Sequence, residues 1–195
     1  MPPGRIKITQ ALITLLETKE FSAITTAEIA KTAGITEALI YKYFKNKRDL
    51  LHTVLSEYLK KYDAEVKQGL KGIKGAPNKL RKLIWAHIDA YARNRVFARI
   101  FLLEVRNYPE FFSSNAYDQV KSYSEELLTI IKEGVREGSF RDDLPPKLLR
   151  QCVQGCIEQV CMTGIIFDRK ISPEQLTDEL CEFVFGGLMA SAKPS

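Results

Sequence analysis

From Thr25 to Lys47 the chain reads TTAEIAKTAGITEALIYKYFKNK, where hydroxyl, phenol and ammonium groups recur at helical spacing. On a wheel of about 100° per residue, Ile40 and Phe44 fall on one side and, with Ile29, Ala30 and Ile35, can fill a small core. Ala38 and Lys42 fall on the far side, flanked by Leu39 and Tyr41. A leucine and a tyrosine beside a lysine and a residue with almost no side chain make a poor solvated surface. They suit a DNA major groove better: Ala38 permits close backbone approach, Leu39 can meet a thymine methyl, and Tyr41 and Lys42 can reach phosphates or base edges. Thr26 and Lys47 stand at expected helix N-termini, where backbone N–H groups and the helix dipole favour phosphate.

Other chemistries find no comparable constellation. The chain has no Gly-rich phosphate loop, no H-E-x-x-H pair and no nucleophile elbow. Glu125-Glu126 and Asp142-Asp143 read as solvated faces or a loop. Cys152, Cys156, Cys161 and Cys181 form no C-x-x-C pair, and His52 and His87 lie far from them in sequence, so no metal site and no cofactor is expected. Cys152 and Cys156 share a helix face; buried structural thiols are the plain reading, a redox or metal sensor the sharper one. An enzyme is not expected.

Short elements must position the Thr25–Lys47 residues. Thr25-x-x-Glu28 fits a capping box, which starts one helix, and Gly34 ends it with a residue that tolerates a left-handed turn. Thr36 then caps a second short helix, giving a helix-turn-helix. Spacing alone leaves two readings open, since short two-helix turns also occur as plain packing junctions in all-α proteins. Before this pair, Ile8, Leu12 and Leu15 form the stripe of a helix over 6–18, closed by Phe21. After it, Asn46 caps a longer helix from Lys47 to about Gly69, helped by Asp49. Further helices are expected at about 77–93, 95–106, 115–137, 146–168 and 173–190, separated by Pro109, Gly138, Pro145-Pro146 and Ser172-Pro173. The fold class is all-α, about nine helices.

The whole chain fits this picture. Its 195 residues carry a net charge of +5, and residues 1–50 hold eight Lys/Arg against five Asp/Glu. The local excess is Lys42, Lys45, Lys47 and Arg48, opposed between 36 and 48 only by Glu37. Hydrophobic residues make up 45% and charged residues 27%, an ordinary globular balance. No apolar run approaches the ~20 residues that span a bilayer, and Met1-Pro2-Pro3-Gly4-Arg5 leads into an amphipathic segment with no signal-peptide core. A cytoplasmic protein without a membrane partner is expected.

The stretches Ile24–Ala30, Ala33–Thr36 and Ile40–Lys47 resemble the DNA-binding domain of the TetR family, a likeness covering about residues 6–55. The resemblance implies a helix-turn-helix domain at 1–50 and a helical effector-binding and dimerisation domain at 51–195. It implies DNA contacts from Thr26, Thr36, Glu37, Ala38, Leu39, Tyr41, Lys42, Tyr43 and Lys47. Glu37 departs from the basic residue of many relatives, and either repels phosphate or accepts from a cytosine amino group. The resemblance further implies a homodimer formed through about 146–168 and 173–190, a palindromic operator, and release by a small molecule. Gly155, Gly164, Gly186 and Gly187 permit close helix approach there, and Leu148, Val153, Val160, Phe183, Val184 and Leu188 supply apolar surface.

Between Leu80 and Phe167 the large residues available to line an effector pocket include Trp85, Tyr91, Phe97, Phe101, Phe111, Phe112 and Tyr123. His87, Arg99, Glu104 and Arg106 are able to fix a polar group. Each also reads as core packing or a solvated face. Of these, Trp85, Tyr91, Phe97, Phe101, Glu104, Phe111 and Tyr123 are the expected lining, and its apolar character favours a fatty acyl chain or a planar aromatic effector. A ligand-responsive DNA-binding regulator, most simply a repressor, is therefore expected; the alternative is an all-α ligand-binding or interaction protein without sequence-specific DNA binding.

Overall fold

The computed structural model describes residues 2–189. Among them the chain forms α1 (Pro3–Leu16), α2 (Thr26–Ala33), α3 (Glu37–Tyr43), α4 (Lys47–Leu70), α5 (Ala76–Arg93), α6 (Arg95–Arg99), α7 (Asn115–Arg136), α8 (Pro146–Ile166) and α9 (Pro173–Leu188). The β pairing among the described residues is one antiparallel bridge, Phe140 with Met189. The all-α expectation holds. Residue 190, the last one expected in α9, and the chain ends at 1 and 195 lie outside the described residues.

Contacts divide the chain into two compact units, Met1–Lys61 with Arg99–Gln119, and Tyr62–Ala98 with Val120–Ser195. In the first unit α1, α2 and α3 pack on one another. Their core is Ile8, Leu12, Leu16, Phe21, Ile24, Ile29, Ile40 and Phe44, extended by Leu50, Leu51 and Leu55 of α4, all buried. Burying each such side chain is worth roughly 1.5–3 kcal/mol. Leu16, rather than Leu15, closes the α1 stripe, and α1 starts three residues earlier than expected because proline fits the first helical turn.

The segment expected as one helix over 95–106 is irregular. After the single turn of α6 it widens into a π-helical turn at Ile100–Glu104 and tightens into a 3-10 turn at Val105–Asn107. Tyr108 is then extended at φ −116° and ψ 119°, as its place before Pro109 demands. A second 3-10 turn, Pro109–Ser113, follows. In this unit the segment sets the Phe111 ring 6.4 Å from Phe101 and 5.8 Å from His52 of α4. Arg48 stacks its guanidinium 4.0 Å over the Tyr108 ring.

In the second unit α5 packs against α8 and α9 through a buried face of Leu80, Leu83, Ile84, Ile88 and Tyr91. Lys79 pairs with Glu133 of α7 at 2.5 Å, both half-buried. Arg95 ties down the end of α8 by donating to the Gly164 carbonyl at 2.9 Å and to Asp168 at 2.7 Å. At Gly134 the Phe140 ring lies directly on α7, where any Cβ would overlap it.

The candidate DNA-binding head and the second-unit core

The geometry of the head begins with caps. The Glu28 N–H donates to the Thr25 hydroxyl at 3.1 Å and the Thr25 N–H to the Glu28 carboxylate at 2.9 Å, so both halves of the capping box are present. Glu28 also pairs with Lys19 at 2.5 Å. The Lys19 ammonium, and then the Thr25 N–H, hold its carboxyl down to about 2. Gly34 takes the left-handed conformation at φ 65°, and its N–H closes the helix on Ala30 and Lys31. Ile35 donates back to the Ala30 carbonyl at 3.0 Å, which fixes the entry angle of α3. Thr36 occupies the N-cap position of α3, but its side chain makes no capping bond. At α4 the Asp49 N–H donates to the Asn46 side-chain oxygen at 2.9 Å, while the Asp49 carboxylate accepts from the Lys45 N–H. Ser172 stands at the N-cap of α9 before Pro173, without a side-chain bond.

The residues expected to touch DNA separate into three groups. Thr36, Glu37, Ala38, Tyr41 and Lys42 are exposed, Tyr41 to 55%, and half-exposed Thr26 stands beside them. The Thr26 hydroxyl donates to Glu37 and lies 3.5 Å from the Tyr41 hydroxyl. Leu39 and Tyr43 are half-buried, because the start of α1 packs over them at Gly4. Lys47 turns inward. Its ammonium donates to the carbonyls of Phe21 at 2.8 Å and Ile24 at 2.5 Å and lies 4.4 Å over the Phe21 ring. Burial there lowers its pKa. The side chain that the resemblance directs at DNA here fastens the 21–24 turn to α4.

The residues expected around an effector are also distributed. Phe101, Glu104 and Phe111 belong to the first unit, where Glu104 accepts from the Tyr108 hydroxyl at 3.1 Å. Trp85, Tyr91, Phe97 and Tyr123 belong to the second. There the His87 ring centroid is 4.6 Å from Tyr91 and 5.1 Å from Tyr123, and His87 Nδ1 shares a hydrogen bond of 2.6 Å with the Tyr123 hydroxyl. Burial, then the neighbouring Tyr62, pushes the Tyr123 phenol well above its ordinary value. Tyr62, which the sequence reading passed over, lies 5.7 Å from the Tyr123 ring. Its signal was its position three residues after Leu59 and four before Val66, the buried face of α4. Trp85 stands apart, under the Lys82 ammonium at 3.8 Å, in a small cavity of about 90 Å³ between α4 and α5.

Cys161 and Cys181 are buried, Cys156 is half-buried and Cys152 exposed. Burial pushes the Cys161 thiol up to about 12 and raises Cys156 and Cys181 as well, so these three stay protonated and weakly nucleophilic. Cys152 and Cys156 line two open apolar grooves of about 760 and 560 Å³ along α8 and α9, with Phe183 in both.

Two short helices set by a capping box and a left-handed glycine, with a polar outer face, define a helix-turn-helix DNA-binding protein. Residues 8–54 match the bacterial regulatory proteins of the tetR family, and residues 52–187 match the YsiA-like protein, C-terminal region. The chain belongs to the TetR family and is a ligand-responsive DNA-binding transcriptional regulator. It is 26% identical over 186 residues to the fatty acid metabolism regulator protein of Bacillus subtilis, covering 95% of this chain and 96% of that one. It is 25% identical over 191 residues to the transcriptional repressor KstR2 of Mycolicibacterium smegmatis, covering 96% and 91%. The crystal structure of the regulator FadR from Bacillus subtilis in complex with stearoyl-CoA is similar at a TM-score of 0.84 and 26% identity, over 93% of this chain and 98% of that one. No helix among the described residues is long and apolar enough to cross a membrane.

Proposed function

We propose that the protein is a cytoplasmic, non-enzymatic repressor that binds a palindromic operator as a dimer and leaves it when a long-chain acyl thioester binds. The observation that carries the effector class is the end-to-end similarity to a regulator whose structure holds stearoyl-CoA. Residues 1–50 act as the reading head, and 51–195 bind the effector and form the dimer. Thr26, Thr36, Glu37, Ala38, Tyr41 and Lys42 contact the operator, with Leu39 and Tyr43 supporting the face from behind. The first-turn N–H groups of α2 at Thr26 and Ala27 suit a phosphate. Effector binding belongs to the second unit's core, where Tyr91, Phe97 and Tyr123 offer apolar walls and His87 and Tyr62 offer polar groups.

Dimerisation through α8 and α9 is supported by their outer face, which exposes Leu148, Val160, Ile166, Phe167 and Phe183, the last to 72%. A monomer gains nothing from leaving so much apolar surface wet. The test is selection of tight binders from random duplexes, followed by titration of the selected site with stearoyl-CoA. A palindrome should be enriched, bound with steep salt dependence, weakened at least tenfold by Tyr41→Ala and released by stearoyl-CoA but not by free CoA. Enrichment of no sequence would leave a ligand-binding protein without an operator. Release by neither stearoyl-CoA nor free CoA would leave a repressor with a different effector.

A further inference from the structure

Two carboxylates lie between Thr25 and Lys47, and only one is committed to the fold. Glu28 is held by Lys19 and the α2 cap. Glu37 opens α3, is exposed and, among the described residues, makes no ion pair. One of its oxygens accepts from the Thr26 hydroxyl, which in turn neighbours the Tyr41 hydroxyl. The carboxylate is thus tied through one oxygen to the start of α2, on the exposed polar face, and Tyr41 stands beside the same Thr26 hydroxyl.

A fixed negative charge at that position meets a polyanion. It is repelled by every phosphate and gains only where DNA offers it a hydrogen-bond donor. The second helix of a helix-turn-helix lies in the major groove with its N-terminal residues on base edges, and Glu37 is the first residue of that helix. The donors in that groove are the exocyclic amino groups of cytosine and adenine. Adenine sets its amino group beside the N7 acceptor, whose lone pair repels a carboxylate oxygen; on cytosine the neighbouring edge atom is an apolar C5–H. Guanine and thymine turn acceptors outward. We infer that Glu37 is a specificity-determining residue that accepts from a cytosine amino group in each half-site and rejects guanine and thymine at that base. Thr26 and Tyr41 act as positioning residues for the carboxylate. The inference rests on the operator-binding reading above and adds the base that one side chain reads.

The experiment is selection from random duplexes at one salt concentration with wild type, Glu37→Ala and Glu37→Gln, melting each protein in parallel. Wild type should select cytosine at one position per half-site, preferred by roughly 5- to 100-fold over other bases. Glu37→Ala should flatten that position and leave the rest of the palindrome intact. Glu37→Gln should move it toward adenine, whose N6 and N7 an amide meets with a donor and an acceptor. Retention of the wild-type preference at every position by both variants would overturn the inference. So would a uniform gain in affinity across all sequences, which would make Glu37 a repulsive charge and nothing more. If Glu37→Ala lost cooperative melting, the isosteric Glu37→Gln alone would decide, by shifting the position or leaving it. Failure of wild type to select any sequence would instead remove the operator-binding reading, and this inference with it.

Discussion

The ammonium of Lys47 has three protons and two carbonyl acceptors, Phe21 and Ile24, within 2.8 Å. Lys47→Met keeps the aliphatic stem and removes the donors, which takes the ammonium from the Ile24 carbonyl and leaves the Phe21 carbonyl only its bond from the Ile24 N–H. The cost should be about 1–3 kcal/mol of folding stability, read from urea denaturation. Tyr41 presents the opposite case. Its ring is more than half exposed and its hydroxyl makes one long contact, to Thr26 at 3.5 Å. Tyr41→Ala should therefore change stability by less than about 0.5 kcal/mol while weakening the operator complex, as fluorescence anisotropy would register. A pair of variants that fell equally in stability would show that both residues serve the fold.

At the scale of elements, the head depends on how α2 begins and ends. Folding holds the Glu28 carboxyl at about 2 against an ordinary 4.5. A carboxyl depressed in this way contributes stability that is complete above pH 4.5 and is lost as the pH falls toward 2. Glu28→Gln should accordingly melt below wild type at neutral pH, and the gap should close on acidification through that window. A constant gap would mean that the charge is irrelevant to the cap. Thr25→Ala, which removes the other half of the box, should cost about 1 kcal/mol. At the other end, Gly34 at φ 65° holds a conformation that costs a side-chain-bearing residue roughly 1–2 kcal/mol. Gly34→Val should lower the melting temperature and the operator affinity together, because α3 then leaves Gly34 at a different angle.

For the whole molecule, the proposed dimer turns on the outer face of α8 and α9. Phe183 is 72% exposed and lines both grooves on that face. Phe183→Glu should give a monomer by sedimentation at micromolar concentration with little change in secondary structure. Its affinity for the full palindrome should fall at least a hundredfold, because one head makes too few contacts to hold DNA alone. A wild-type protein that sediments as a monomer at the same concentration would dismiss the α8–α9 dimer. A net charge of +5 aids the approach to DNA but is too small to supply specificity.

The amino-acid sequence by itself determined whatever depends on neighbours along the chain. The capping box at Thr25 and Glu28, the left-handed turn at Gly34, the Asn46 cap and the apolar stripes are local, and with them came the helices, the helix-turn-helix and the family. Helix limits and side-chain duties were less legible. The expected 95–106 helix became one α turn followed by π and 3-10 turns ahead of Pro109, in a stretch that buries Phe101 and Phe111. The two carbonyls that the 21–24 turn brings to the Lys47 ammonium come from more than twenty residues away. Tyr62 joined His87, Tyr91 and Tyr123 only when α4, α5 and α7 came together, and the bond between Thr26 and Glu37 formed only when α3 crossed α2. A side chain's type and spacing fix what it is able to do. Which partner it meets is set by packing between segments distant in sequence, and that was the part only the tertiary structure decided.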